Sequence, residues 1–239
     1  MNDLFKYFNK FEKNDPEFHE IFKNFAYGEV FEYSNLSEKD SILATLACLI
    51  ACQSPKAFKK ILRAALDKDI TPIEVKELLY QSVPYVGFAR AHNFFGVVTK
   101  IFDKKGIDYP LDGQSNTTPE NRYEKGREIQ DRYFGAEMIQ MMNDNTPEGQ
   151  KHFNKFLEGF CFGDFYTRNG LDDQQRELIT FVLIASLGGC ENQLRGHTQG
   201  NLSVGNDKEK LVSAITVIMP YIGFPRTLNA LAIVNEVCD

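Results

Sequence analysis

FHEIFKNFAYGEVFEYSNLSEKDSILATL, residues 18–46, and FNKFLEGFCFGDFYTRNGLDDQQRELITF, residues 153–181, are two versions of one segment. Phe153 lies 135 positions after Phe18, and at that offset Phe25 meets Phe160, Gly28 meets Gly163, Leu36 meets Leu171 and Thr45 meets Thr180. Further on, PYVGFARAHN at Pro84 meets PYIGFPRTLN at Pro220 at an offset of 136, so the second copy has one extra residue between the blocks. An internal repeat settles the architecture before any local reading. The copies run from Pro16 to Phe102 and from Lys151 to Asp239, which divides the chain into a first unit (1–102), a connecting stretch (103–150) and a second unit (151–239).

The period inside each copy is helical. Leu178, Phe181, Val182 and Ala185 recur at i, i+3, i+4 and i+7 behind the cap and acidic start Asp172-Asp173. Gly188-Gly189 ends that helix, and a second runs from about Cys190 to Val204. A third, capped by Asn206 or Asp207, carries Leu211, Ile215 and Ile218 and meets a break at Pro220 and Gly223, after which Pro225 can start a last helix. The first copy reads alike, with Thr71-Pro72 starting its third helix and Pro84 and Gly87 at its break. The connecting stretch opens as loop, then reads as one helix over 120–143, with Thr146-Pro147 starting the next. No segment alternates as a strand would. The expected fold is all-α, two tandem units.

Composition narrows the function classes. A net charge of −6 and a pI near 5.4 leave no broad basic face for nucleic acid or an anionic membrane. The N-terminus lacks the basic-then-apolar build of a signal peptide, and the apolar run from Ile42 to Cys52 falls short of the roughly 20 residues that span a bilayer. The expectation is a cytoplasmic protein without membrane or nucleic-acid partners. Its five cysteines, Cys48, Cys52, Cys161, Cys190 and Cys238, stand at no metal-ligand spacing and read as free thiols. Neither a metal nor a cofactor is expected.

The helix after Gly188-Gly189 carries an unusual stripe. Cys190, Gln193, His197 and Asn201 stand at i, i+3, i+7 and i+11 and share one face. The preceding helix carries Arg176-Glu177. Glu177 lies about 16 Å of helix before the double glycine and His197 about 12 Å after it, so a closed hairpin brings the two to similar depth. A carboxylate beside an imidazole fixes its tautomer and makes a proton shuttle. A buried structural ion pair would use the same residues. The first copy acts as a control: Glu177 corresponds to Ile42, His197 to Ile61, Gln193 to Ala57 and Asn201 to Ala65, while the PYxGF block is kept. A stripe needed only for packing would be needed twice.

The segment RELITFVLIASLGGCENQLRGHTQGNL, from Arg176 to Leu202, resembles the carboxymuconolactone decarboxylase family, which shares its fold with alkylhydroperoxidase D. The motif is Arg176-Glu177 on one helix and Gln193-Leu194-x-x-His197 on the next; PYIGFPRTLNAL, from Pro220 to Leu231, is similar as well. The resemblance implies an all-α, alkylhydroperoxidase D-like fold that assembles as a homo-oligomer, here a trimer of two-unit chains or a dimer. It implies a carboxy-lyase acting on a small carboxylated lactone or related acid. His197 would donate the proton, Glu177 orient it, and Gln193 and Asn201 donate hydrogen bonds to substrate oxygens. Arg195 and Arg226 are candidates to hold a carboxylate, and Tyr221 and Phe224 to line the pocket. The hydroperoxidase branch uses a Cys-x-x-Cys pair before the histidine. Here Cys190 fills the first place and Gln193 the second, so a thiol-dependent hydroperoxide reductase using Cys190 is an alternative, as is a non-catalytic ligand-binding scaffold.

Overall fold

The caps that start the two central helices are written twice in the chain. The side chain of Ser37 accepts from the Asp40 N–H (3.0 Å) and that of Asp172 from the Gln175 N–H (2.8 Å), each satisfying a donor that a helix start leaves free. This computed structural model describes the backbone of residues 10–239 and the side chains of residues 12–239. The helices are α1 (Lys10–Asn14), α2 (Pro16–Asn24), α3 (Glu38–Ala51), α4 (Pro55–Ala65), α5 (Pro72–Val86), α6 (Phe88–Lys105), α7 (Arg122–Phe134), α8 (Ala136–Asp144), α9 (Lys151–Phe156), α10 (Asp173–Leu187), α11 (Glu191–Ser203) and α12 (Lys208–Cys238). No strand occurs among the described residues. The all-α expectation holds, and α3, α4 and the pair α5–α6 of the first copy are repeated as α10, α11 and α12, which bends at Gly223.

Both copies also contain a π-helical stretch in the same place, Phe25–Glu29 and Leu157–Tyr166. Nothing in the periodicity marks these wider turns, and the second forms a wall of the site below.

Helix α3 is buried from Ser41 to Ala51 and α10 from Arg176 to Ser186. Each is covered on every side, which explains why both read as nearly unbroken apolar runs rather than amphipathic stripes. They pack on each other. In addition α10 packs on α5 of the first copy, and α3 packs on α12 of the second. Most buried apolar residues of both copies form one continuous core, from Leu46 and Phe58 through Phe94 to Phe181, Leu211 and Ile218, and Cys161, Phe162 and Tyr166 form a smaller cluster with Tyr133. Each fully buried Leu, Ile or Phe contributes about 1.5–3 kcal/mol. Helix α12 is long and apolar enough to cross a membrane by length and composition. It is bent at Gly223, and residues on both sides of the bend, among them Leu211, Ile215 and Ile218 before it and Ala230, Ile233 and Val234 after it, are built into this core.

The connecting stretch departs from expectation in two ways. The single helix read over 120–143 is two helices. Gly135 adopts a positive φ of 89°, closes α7 through its N–H to the Asp131 carbonyl (3.0 Å), and redirects the chain into α8. Nor is α7 a spacer: its backbone lies directly on the π-helical stretch. A Cβ at Gly126 would fall 1.8 Å from the Glu158 carbonyl oxygen, and one at Gly163 would fall 2.1 Å from that of Arg122. Glycine at both positions lets the two backbones touch.

Candidate active site

The turn between α10 and α11 builds the site. Gly188 and Gly189 both take positive φ (69° and 71°), conformations an L side chain rarely adopts, and Cys190 occupies the cap position of α11. The hairpin closes as expected. His197 Nδ1 lies 3.0 Å from Glu177 Oε2 and 3.2 Å from Oε1. Glu177 is fully buried, and His197 is 9% exposed. The α11 backbone opposite the carboxylate is Gly200, where a Cβ would stand 2.5 Å from Glu177 Oε2.

The carboxylate has a second partner that links it to the first copy. The Tyr166 hydroxyl, on the π-helical stretch, donates to Glu177 Oε1 (2.8 Å). It also lies 2.9 Å from Thr180 Oγ1 and 2.7 Å from the Tyr85 hydroxyl. Gln81 Nε2 donates to Thr180 Oγ1 at 3.0 Å. Gln81 and Tyr85 belong to α5, so the first copy supplies one side of the second copy's site. Burial pushes the phenols of Tyr85 and Tyr166 well above their usual range, and neighbouring Cys161 and Glu177 push the same way. Both are therefore neutral hydrogen-bonding groups at ordinary pH. Tyr85 and Phe134 close edge-on around the His197 ring, at 5.2 and 5.5 Å between centroids.

With Nδ1 committed to Glu177, Nε2 is the ring nitrogen left for a ligand. His197 lines an open-mouthed cavity of about 460 Å³. Cys190 and Gln193, from the cap and first turn of α11, line it as well. The remaining wall is apolar and largely aromatic: Phe153, Phe156, Leu157, Phe160 and Phe162 from α9 and the π-helical stretch, Ile184 and Leu187 from α10, and Pro84 and Tyr85 from α5. Cys161 also faces it; burial holds this thiol protonated, its pKa pushed up to about 12.

Five expected site residues stand elsewhere. Asn201 is fully buried below the cavity, where it braces the hairpin. Its Nδ2 donates to the Glu177 carbonyl (3.0 Å) and the His197 carbonyl (2.6 Å), and its Oδ1 accepts from Asn206 (2.8 Å). The stripe runs from the mouth into the interior, so its fourth member lies too deep to meet a substrate. Arg195 is on the outer face, paired with Glu236 at 2.8 and 2.9 Å. Arg226 caps the end of α10 by donating to the Ser186 carbonyl (2.8 Å). Tyr221 is hydrogen-bonded to the Tyr27 hydroxyl in the first copy, 3.0 Å away. Phe224 is 60% exposed and is not part of the cavity wall.

Arg176, the motif's arginine, is a clamp between the copies. It is fully buried and donates to Glu77 Oε2 (3.1 Å), Gln81 Oε1 (3.0 Å) and the carbonyls of Arg168 (2.8 Å) and Asn169 (3.0 Å). Arg168 pairs with the same Glu77 at 3.0 Å. Among the described residues no group of three or more His, Cys, Asp or Glu is placed to hold a metal ion.

An all-helical tandem with a buried carboxylate–imidazole pair at a glycine hairpin defines a recognisable class. The sequence profile of the carboxymuconolactone decarboxylase family matches residues 16–100 and again 151–236. The chain belongs to that family, in a form that carries two units in tandem. It is similar to a 4-carboxymuconolactone decarboxylase of Acinetobacter baylyi (strain ATCC 33305 / BD413 / ADP1), 28% identical over 118 residues, covering 49% of this chain and 87% of that enzyme. In three dimensions it resembles a protein from Burkholderia xenovorans LB400 described as a gamma-carboxymuconolactone decarboxylase subunit. The TM-score is 0.56 at 16% identity, over 97% of this chain and 90% of that one, a likeness of fold.

Proposed function

We propose that the second copy is a general acid–base centre for decarboxylation, or related proton transfer at carbon, on a small organic acid. The observation that carries this reading is the His197 ring, with Nδ1 held by a buried carboxylate and its other nitrogen left for the cavity. Loss of carbon dioxide leaves the bonding electron pair on the substrate as an enolate. The imidazolium form of His197 gives its Nε2 proton to carbon, and solvent restores it. Glu177 holds the Nδ1–H and offsets the ring's positive charge, and Gln193 is a donor for the enolate oxygen. The relative named as a 4-carboxymuconolactone decarboxylase supports carboxy-lyase chemistry for this chain.

His197→Gln tests the assignment. Decarboxylation of a lactone acid, followed by carbon dioxide release, is expected to fall by about 10²–10⁴ with the fold intact by circular dichroism. Turnover close to wild type would remove His197 from the chemistry.

A second reading, a thiol peroxidase, has one observation in its favour: Cys190 lines the same cavity as His197. Its Sγ points to the Gly188 carbonyl at 3.6 Å, and no second cysteine occupies position 193. Cys190→Ser separates the two readings. It leaves decarboxylation near wild type under the first and abolishes peroxide consumption under the second.

A further inference from the structure

Beside the Arg176 clamp lies a second pocket, of about 140 Å³, where α5 of the first copy meets residues 109–114 of the connecting stretch and Arg168 of the second copy. Glu77 lines it, but both carboxylate oxygens are taken: Arg168 donates to Oε1 (3.0 and 3.1 Å) and to Oε2 (3.0 Å), and Arg176 to Oε2 (3.1 Å). One buried carboxylate thus serves two guanidinium groups. A third cation stands next to them. The Lys76 ammonium lies 5.3 Å from the centre of the Tyr80 ring and 5.9 Å from that of Tyr109, and among the described residues it pairs with no carboxylate. Arg168 lies over the same Tyr80 ring at 4.8 Å. Two more carboxylates are close. Asp164 is paired with Arg122, and Asp112 is an exposed part of the pocket wall. In a chain of net charge −6, cations here outnumber the carboxylates available to them, and an open space adjoins them.

We propose that this pocket is a second binding site, separate from the His197 cavity, for a small organic carboxylate about one ring in size. The two tyrosine rings hold the Lys76 ammonium partly out of water without neutralising it, so an oxyanion beside it gains a charge-assisted hydrogen bond. Arg168 spends Nε and Nη2 on Glu77, which leaves Nη1 as a second donor. The rest of the wall is suited to carbon: Ile73, Pro110 and Leu111 join Tyr80 and Tyr109 there. A space of this volume is on the scale of one that holds a benzene ring. An inorganic anion would satisfy the cations and leave the apolar wall uncovered. The occupant touches the first copy, the connecting stretch and the second copy at once, and supplies the counter-charge that Glu77 alone divides between two arginines.

The experiment is titration calorimetry on the full chain with benzoate as the probe, benzamide as its uncharged counterpart and inorganic phosphate as the anion without a body. Benzoate is expected to bind about tenfold or more tighter than either. Lys76→Met keeps an apolar stem between the tyrosines and removes the charge, so it should weaken benzoate about tenfold or more, while Lys76→Arg retains binding. Asp112→Asn removes the competing wall carboxylate and should strengthen binding. Phe156→Ala, in the wall of the His197 cavity, locates the ligand and should leave this affinity unchanged. An unaltered benzoate isotherm in Lys76→Met would overturn the proposal. So would benzamide or phosphate binding as tightly as benzoate, or a loss of binding in Phe156→Ala, which would place the probe in the catalytic cavity.

Discussion

Glu177 and Ile42 hold the same place in the two copies, as do His197 and Ile61, and their surroundings explain why only one pair is polar. Ile42 is 1% exposed and Ile61 fully buried, both within the common core. Glu177 is just as buried, but Tyr166 and His197 saturate its oxygens and a cavity opens beside the imidazole. A buried carboxylate persists only where hydrogen bonds replace lost water. The first copy lacks those partners and has become a packing unit. It still contributes, because Tyr85, Gln81 and Glu77 reach across to the second copy. The tandem is thus an asymmetric pair in which one half supports the other's site.

The largest effect expected from breaking this asymmetry lies in the clamp. Arg176 is fully buried against Glu77, while its first-copy counterpart is Ser41, which has no such partner. Glu77→Gln leaves two guanidinium groups, Arg176 and Arg168, without a counter-charge. A loss of about 3–5 kcal/mol is expected, read as a lowered midpoint in urea unfolding, and activity should fall with the folded fraction. Ser41→Ala should cost under about 1 kcal/mol. Equal losses would mean the clamp does not hold the halves together.

A smaller effect is expected at Gly200. A methyl there meets Glu177 Oε2 at 2.5 Å and Phe134 Cε1 at 3.0 Å, so Gly200→Ala must push the carboxylate off His197. Turnover should drop by about tenfold while helix propensity favours the variant. The equivalent first-copy position is already Ala64, and the place of Glu177 is taken there by Ile42. Ala64→Gly should cost about 1 kcal/mol of stability and leave turnover alone.

Smaller again is the exchange of tyrosines. Tyr85 reaches the second copy's site and Tyr221 reaches Tyr27 in the first. Tyr221→Phe removes one hydrogen bond, worth about 1 kcal/mol, and Tyr85→Phe removes that to Tyr166 and a weaker one from the Cys161 thiol. Only Tyr85→Phe should also slow turnover, by about threefold, since Tyr166 then holds Glu177 without its own support. Identical kcat values for Tyr85→Phe and Tyr221→Phe would show that the first copy contributes packing alone.

Much of this was legible in the chain. The offset of 135 gave the duplication, and the double glycine with Glu177 and His197 on either side gave the carboxylate–imidazole contact, because helical rise is regular enough to count across a turn. Cys190 and Gln193 were legible for the same reason. The stripe did not reveal that Asn201 is a brace, because a helical face carries no mark of where a cavity ends. Arg195 and Arg226 were suggested by charge alone, and charge does not tell a substrate partner from a helix cap. The larger omission was Tyr85 from the first copy, Phe134 from the connecting stretch and Tyr166 from the π-helical stretch of the second copy, which meet His197 and Glu177. The retained PYxGF block in a copy without a site was the available signal for Tyr85. The π-helical stretch, which aims the phenylalanines at the cavity, has no periodic signature.

The finest distinction between the copies concerns thiols. Cys48 and Cys52 occupy the first-copy places of Leu183 and Leu187, at the end of α3. Hydrogen bonding from Cys48, aided by the positive fields of Arg226 and Arg90, lowers the Cys52 thiol to about 7, while burial drives Cys48 well above the ordinary thiol value of 9.0. A depressed pKa means the folded state favours the thiolate. That preference is fully present above the ordinary thiol value and is lost as pH falls through about 7. Alkylation by iodoacetamide follows the thiolate, so the Cys52 rate should rise with a midpoint near pH 7, while Cys161, held protonated to about 12, stays unreactive across the neutral range. Peptide mapping by mass spectrometry after short exposures from about pH 5.5 to about pH 9 reads both sites at once. Cys48→Ala removes the donor and should move the Cys52 midpoint upward. A midpoint unmoved in that variant would take the effect away from the thiol pair and give it to the two arginines.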